Sequence, residues 1–271
     1  MDLEATFGTP KPVVGMAHLP PLPGAPRSDG DLETVLDRAV ADAEALAAGG
    51  VDGLLVENFG DAPFHPDDVP KHTVAMMTRA ATAVDGAVDL PVGVNILRND
   101  AGAALSVAAA ATGGAFVRVN VHAGARVTDQ GVIEGRAHET LRLRDRLDAD
   151  VAVFADVDVK HSAPLGERSV REELHDVCER GLADVVIVSG PATGEQVERA
   201  ALGTAIEARD EVAPETPVLV GSGVTADNAA DLLAAADGAI VGTALKEGGE
   251  TTASVDAERV ADVVSAADAA R

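Results

Sequence analysis

Residues 151–162 read Val-Ala-Val-Phe-Ala-Asp-Val-Asp-Val-Lys-His-Ser. Side chains alternate across a β-strand, so Val151, Val153, Ala155, Val157 and Val159 share one face, and Ala152, Phe154, Asp156, Asp158 and Lys160 the other. The first face is apolar and suits packing against helices. The second starts apolar and becomes charged towards its C-terminal end. A strand buried on both sides reads as a continuous apolar run, so three ionisable groups in register at one end require a polar destination. The mouth of a site at the carboxyl end of a parallel strand is such a destination.

The rest of the chain repeats this unit. Short apolar runs occur at residues 13–17, 53–56, 92–96, 115–121, 151–159, 185–188, 218–220 and 239–241, each followed by a polar loop and then a helical pattern. The spacing is about 30 residues, the size of a βα unit. Eight such units predict an α/β protein of the (β/α)8 TIM-barrel class over residues 1–271, as a single domain. A doubly wound open sheet is the alternative, disfavoured because no early G-x-G-x-x-G fingerprint occurs and nothing marks two halves. From Asp31 onward, Leu32, Val35, Leu36, Ala39, Val40, Ala43 and Leu46 form one face of a helix that stops at Gly49 and Gly50. Ser169 with Glu172 and Thr193 with Gln196 have capping-box spacing, and Asn99 and Thr225 read as further N-caps.

Composition narrows the partners. The chain has 45 acidic and 21 basic residues, a formal charge of −24, and no Trp or Tyr. Such a surface disfavours nucleic acid and anionic membrane. Only four residues are lysine, and abundant Asp and Glu with scarce Lys resembles proteins of salt-accumulating halophilic archaea. Cys178 stands alone, so it reads as a structural thiol rather than half of an intrachain disulfide. The start, MDLEATFGTP, has neither a basic head nor an apolar run, and no stretch is apolar enough to span a bilayer, which leads to the expectation of a cytoplasmic protein without membrane insertion. Dimerisation through outer helices is an expectation for a barrel.

The loops that follow the strands hold the chemistry. Gly221-Ser222-Gly223 after the seventh strand and Gly242-Thr243 after the eighth let backbone N–H groups approach an anion, and this pair of loops commonly holds phosphate in such barrels. Ser222, Thr243 and Lys246 could add donors, and Ser189 with the loop through Thr193 and Gly194 could extend the cradle. The bland reading is that these glycines only make tight turns. Parity on the fourth strand turns Arg118, Asn120 and His122 inward; Asn95 ends the third strand, His18 the first, and Glu57 and Asn58 the second, where parity leaves open which of the two points in. Each alone reads equally well as a hydrogen-bonded core residue.

Asp156, Asp158 and Lys160 admit three readings. Two carboxylates on one face would hold Lys160 as a cation, making it a donor to substrate with an aspartate as acid or base, unless Arg118 or a metal neutralises them. A structural salt-bridge network is the second reading. Metal is the third: His18, Glu57, Asp156, Asp158 and His161 offer ligands, but without a zinc motif the option is oxygen-rich Mg²⁺ bound partly through substrate phosphate, and the residues point to no other cofactor. After strand four, residues 122–135 are long enough for a lid.

Several segments carry a family likeness: KPVVGMAHLPPLPGAPR at residues 11–27, VENFGDAPF at 56–64, VRVNVHAGARVTDQGVIEGRA at 117–137, ADVDVKHS at 155–162, and VGSGVTADN with VGTALK near the end. In these the chain resembles the BtpA/SgcQ family of TIM-barrel proteins. The resemblance implies the same fold, and it implies one of two roles, since members are named for photosystem I biogenesis while others are described as nucleosidase-like or sugar-related enzymes. The residues favour an enzyme acting on a phosphorylated sugar or nucleoside-type ligand by glycosidic cleavage, with Asp156, Asp158, Lys160, Glu57 and Asn120 as the reacting set. A sugar-phosphate aldolase or isomerase using Lys160, and a non-catalytic assembly or stability factor, are the alternatives.

Overall fold

The computed structural model describes residues 1–159, 161–190 and 199–271. Eight parallel strands close into a barrel: β1 Val13–His18, β2 Gly53–Glu57, β3 Val92–Asn95, β4 Phe116–Val119, β5 Ala152–Val157, β6 Val185–Ser189, β7 Val218–Gly221 and β8 Gly238–Val241, with β8 returning to β1 through Val13 opposite Ala239. The helices outside are α1 Leu32–Ala48, α2 Lys71–Asp85, α3 Ala101–Ala111, α4 Ala137–Arg146, α5 Val170–Leu174 running on into a π-helical turn at His175–Arg180, α6 Arg199–Val212, α7 Ala229–Leu233 and α8 Ala257–Asp268.

Alternation along the strands divides the core into two layers. Ala17, Val56, Val94, Val117, Val153, Val157, Val186, Val218 and Val241 pack outward against helices. Val14, Met16, Leu55, Phe116, Phe154, Val185, Ile187, Leu219 and Ile240 fill the barrel. Of the five phenylalanines, three make the barrel floor: Phe116 stacks on Phe154 with ring centres 4.4 Å apart, and Phe7 of the N-terminal helix Leu3–Phe7 meets both edge-on at 5.8 and 6.5 Å. Aromatic packing of this kind adds to plain area burial. Gly93 makes room for it, since a Cβ there would lie 2.3 Å from the Phe116 ring.

Apolar and aromatic residues close the bottom, so the polar ends of the strands face a mouth at the top. Above β4 and β5 sits a three-stranded antiparallel sheet formed by Ala125–Thr128, Gly131–Glu134 and Ala163–Pro164. Its small core is Val121, Ile133 and Val159, which is why the apolar runs at 115–121 and 151–159 outlast the barrel strands. The segment 122–135, expected as a lid, folds as this hairpin. Asp31 caps α1, and Ser169 with Glu172 forms the capping box that their spacing predicts. The cap of α3 is Asp100, not Asn99. Asn99 instead bonds both the N–H and the carbonyl of Val121, clamping the end of β4 to the loop after β3. Thr225 does not cap α7, which follows Asn228. Thr193, Gly194 and Gln196 lie outside the described residues.

Candidate active site

Register brings the first group together. His18 lies opposite Glu57, and Glu57 opposite Asn95, at the ends of three adjacent strands, so all three side chains share the inward face. Asn95 Nδ2 donates to Glu57 Oε2 at 2.6 Å, and His18 Nε2 stands 3.7 Å from Glu57 Oε1. His18 Nδ1 is 3.2 Å from the Thr251 carbonyl, which can only accept, so Nδ1 carries a proton and Nε2 is turned towards Glu57. Asn58, beside Glu57, acts differently. Its Oδ1 accepts from Leu97 N–H and its Nδ2 donates to Asp61. Glu57 is therefore the member of the pair that points in.

The second group spans β4 and β5. Arg118 donates to both carboxylate oxygens of Asp156, at 3.0 and 2.8 Å, and Asn120 Nδ2 donates to Asp156 Oδ2 at 2.8 Å. Ser189 Oγ is 3.5 Å from Asp156 Oδ1. Burial works against the Arg118 charge, but the bonded Asp156 outweighs it and holds the guanidinium above its ordinary pKa. Because Asp156 only accepts, Asn120 must present Nδ2 to it, and its buried Oδ1 then has no partner among the described residues.

Among the described residues, two sizeable cavities open at the top. One, of about 410 Å³, is lined by Ser222, Gly223, Gly242, Thr243 and Arg259, together with His18 and Arg118, and carries two carboxylates, Asp227 and Asp262. Ser222 and Gly223 are both left-handed, with φ of 70° and 66°, giving the β7 loop a tight bend under the cavity. A Cβ on Gly242 would come 2.9 Å from the His18 ring, and one on Gly221 would come 2.8 Å from Ser189 Oγ. These two glycines thus allow β7 and β8 to approach the polar residues of the mouth. The other cavity, of about 820 Å³, lies over β1 to β4 and is lined by His18, Glu57, Arg118 and Asn120 together with Phe59 and Phe64, the two phenylalanines not spent on the floor. Phe59 packs against the His18 ring with centres 4.8 Å apart. His18 and Arg118 line both cavities.

Comparison with known proteins bears on this arrangement. A model described as the BtpA family matches residues 9–269. The chain belongs to the BtpA family. The photosystem I biogenesis protein BtpA of Synechocystis is 47% identical over 98% of this chain and 91% of its own length. Among solved structures, N-(5'-phosphoribosyl)anthranilate isomerase from Pyrococcus furiosus has a TM-score of 0.54 at 14% identity, covering 95% of this chain and 98% of its own. The 7,8-dihydropteroate synthase of Vibrio fischeri scores 0.59 at 15% identity, covering 96% of this chain and 92% of its own. At that identity the two structures speak for the barrel alone.

The structure of this BtpA-family protein moves several expected site residues elsewhere. Asp158 leaves the inward face because its backbone turns left-handed, with φ of 52° just beyond the end of β5; it lies exposed and pairs with Arg126 of the hairpin. The two carboxylates thus meet different partners, Asp156 the Arg118 and Asn120 side chains and Asp158 the Arg126 guanidinium. His122 points away from the mouth, its Nε2 2.8 Å from the Gly181 carbonyl behind the barrel, and burial pushes its pKa down. Lys160 lies outside the described residues. Among those described, no three carboxylate, imidazole or thiol groups converge as a metal site; Asp156 is taken by Arg118 and Asn120, and Asp158 by Arg126. Cys178 is buried, and burial pushes its thiol up to about 11, in keeping with an inert structural role. No helix among the described residues is long and apolar enough to cross a membrane.

Lys246 is the clearest displacement. It is fully buried beneath the β8 loop with its ammonium 3.5 Å from Asp42, a buried carboxylate on α1 that also accepts from Arg38 and from Val255 N–H. It is a strut between α1 and the β8 loop and offers nothing to the cavity. Burial lowers its pKa to about 8, against the opposing pull of Asp42. Between about pH 8 and its ordinary value near 10.5, the unfolded chain holds a proton that the native state has released. Native stability therefore rises with pH through that window, and below it the native state bears a cost of about 3 kcal/mol. Chemical denaturation at pH 7.5 and 10 should show the wild type gaining stability relative to Lys246→Met, whose own stability lacks that component; parallel profiles would contradict the buried cation.

Proposed function

We propose that this barrel is an enzyme that cleaves a glycosidic bond in a phosphorylated, nucleoside-type ligand. The observation that carries this reading is that His18 and Arg118 line both cavities, so one ligand can lie across them. Its phosphate would sit on the β7 and β8 loops by Ser222, Gly223, Gly242 and Thr243, with the Arg259 guanidinium at the rim. Its planar ring would rest on Phe59 and Phe64, and the unpartnered Oδ1 of Asn120 would accept from a sugar hydroxyl.

In that pose the anomeric carbon lies near Glu57. The Glu57 carboxylate takes a proton from the attacking water as the C–O bond forms and the C–N bond breaks, with the bonding pair leaving on the base. His18 relays a proton to the departing base. Asp156, neutralised by Arg118 and Asn120, positions those two groups and is not the base itself. Mg²⁺, if bound, would supply only charge balance to the phosphate, and no step of the scheme passes through it.

A thermal-shift comparison tests it. Nucleoside 5'-monophosphates and ribose 5-phosphate, with and without Mg²⁺, should raise the melting temperature where their unphosphorylated counterparts do not, because binding to the native state alone stabilises it. The shift should disappear in Gly242→Val, whose side chain would meet the His18 ring. No shift with any phosphate would overturn the reading and leave the cradle glycines as turn residues.

A further inference from the structure

The larger cavity has a charge that the rest of the molecule does not. The chain carries 45 acidic against 21 basic residues, yet Arg27, Arg38, Arg98 and Arg118 all line this one cavity, against only Glu57 and Asp129 of opposite sign. Arg118 is bonded to Asp156, and Arg38 reaches Asp42 through its Nε and the Thr252 carbonyl through Nη2. Arg98, on the loop after β3, is only 6% exposed. Burial lowers its pKa; Asp156, Glu57 and Asp129 oppose this, the first two also serving Arg118 and Asn95, and the neighbouring Arg118 charge adds to the lowering. Arg27, on the exposed proline loop after β1, makes no ion pair among the described residues. Among these guanidinium groups Arg98 and Arg118 are close enough to repel one another, and an anion arriving beside Arg98 relieves that repulsion.

We propose that the mouth cavity contains a second oxyanion subsite, centred on Arg98 and completed by Arg27 and Arg38. It takes a phosphate or carboxylate distinct from the phosphate on the β7 and β8 loops. The second anion is either a group at the far end of the same ligand or a separate co-substrate anion, which in glycosidic cleavage would take the place of water. The inference rests on the reading above for the first phosphate, and it assigns the arginine cluster a recognition role that the glycosidic chemistry alone does not require. Planar guanidinium groups favour such anions through paired N–H donors.

Isothermal titration of the full chain with ribulose 5-phosphate and with ribulose 1,5-bisphosphate tests it, together with a third arm of ribulose 5-phosphate in the presence of inorganic phosphate. A second group on the same molecule predicts that the bisphosphate binds about tenfold more tightly than the monophosphate, an increment expected of one charge-assisted contact set. A separate anion predicts instead that inorganic phosphate tightens monophosphate binding by a similar factor. Arg98→Met should erase whichever advantage is seen while monophosphate affinity stays within about twofold. Arg27→Gln, at an exposed position where folding is not at stake, should reduce that advantage about threefold. Equal binding of the two sugars with no effect of inorganic phosphate overturns the second subsite and leaves the first standing. Failure of every phosphate overturns both. An Arg98→Met variant that weakens both sugars equally, or an Arg27→Gln variant with the full advantage, also counts against the proposal.

Discussion

Arg118→Met is expected to destabilise the barrel by about 3–5 kcal/mol, the range for stripping the partner from a buried ion pair. Asp156 is 4% exposed, and its two oxygens accept from both arms of Arg118; only Asn120 and a distant Ser189 would be left to satisfy it. The loss is not a measure of what the pair contributes, because most of it is the penalty on the orphaned carboxylate. Replacing both partners, as in Arg118→Met with Asp156→Leu, should therefore recover most of the loss even though two charges and three hydrogen bonds have gone. Guanidinium denaturation of the two single variants and the double variant gives the coupling directly. A single Arg118→Met change costing less than about 1 kcal/mol would mean that water reaches Asp156 and that the pair is not a sealed support of the mouth.

The same pair shows what the sequence could reveal. Parity on β4 and β5 is sufficient to turn Arg118, Asn120 and Asp156 inward, because alternation holds along these strands and into the residue that follows β4. It fails at Asp158, one residue past the end of β5, since a left-handed residue breaks alternation and aspartate adopts that conformation at little cost. It cannot choose between Glu57 and Asn58 for a related reason: the last strand residue and the first loop residue are neighbours, and only pairing with His18 and Asn95 separates them. Lys246 looks like a phosphate donor by its place after a glycine loop. Its partner Asp42 lies 204 residues earlier, on a helix face that otherwise reads as apolar, and nothing local announces that contact. Arg98, Phe59 and Phe64 escape a reading by periodicity because they lie beyond the strand ends, Phe59 in a single 3-10 turn and the other two in loops. A usable signal does exist for the phenylalanines: in a chain with only five, two so close together after the second strand are uncommon enough to ask what they cover.

Glu57→Gln should lower turnover by about 10²- to 10⁴-fold, the contribution of a positioned acid or base, while the protein keeps its melting temperature and binds phosphorylated ligand within a few-fold of wild type. The substitution preserves size, and a glutamine carbonyl can still accept from Asn95 Nδ2, so the register of β2 and β3 has no reason to change. What disappears is a carboxylate able to take a proton from water next to His18 Nε2. The informative comparison is Asp156→Asn. That change leaves Arg118 without its counter-ion and should reduce stability as well as activity, whereas Glu57→Gln should separate the two. Release of free base from a nucleoside 5'-monophosphate, followed by chromatography under single-turnover conditions, distinguishes the roles. If Glu57→Gln turns over at the wild-type rate, the proton goes elsewhere and the His18–Glu57–Asn95 row is architecture. If ligand binding is lost together with turnover, Glu57 contributes to recognition, and the base must be sought among the other groups that line the mouth.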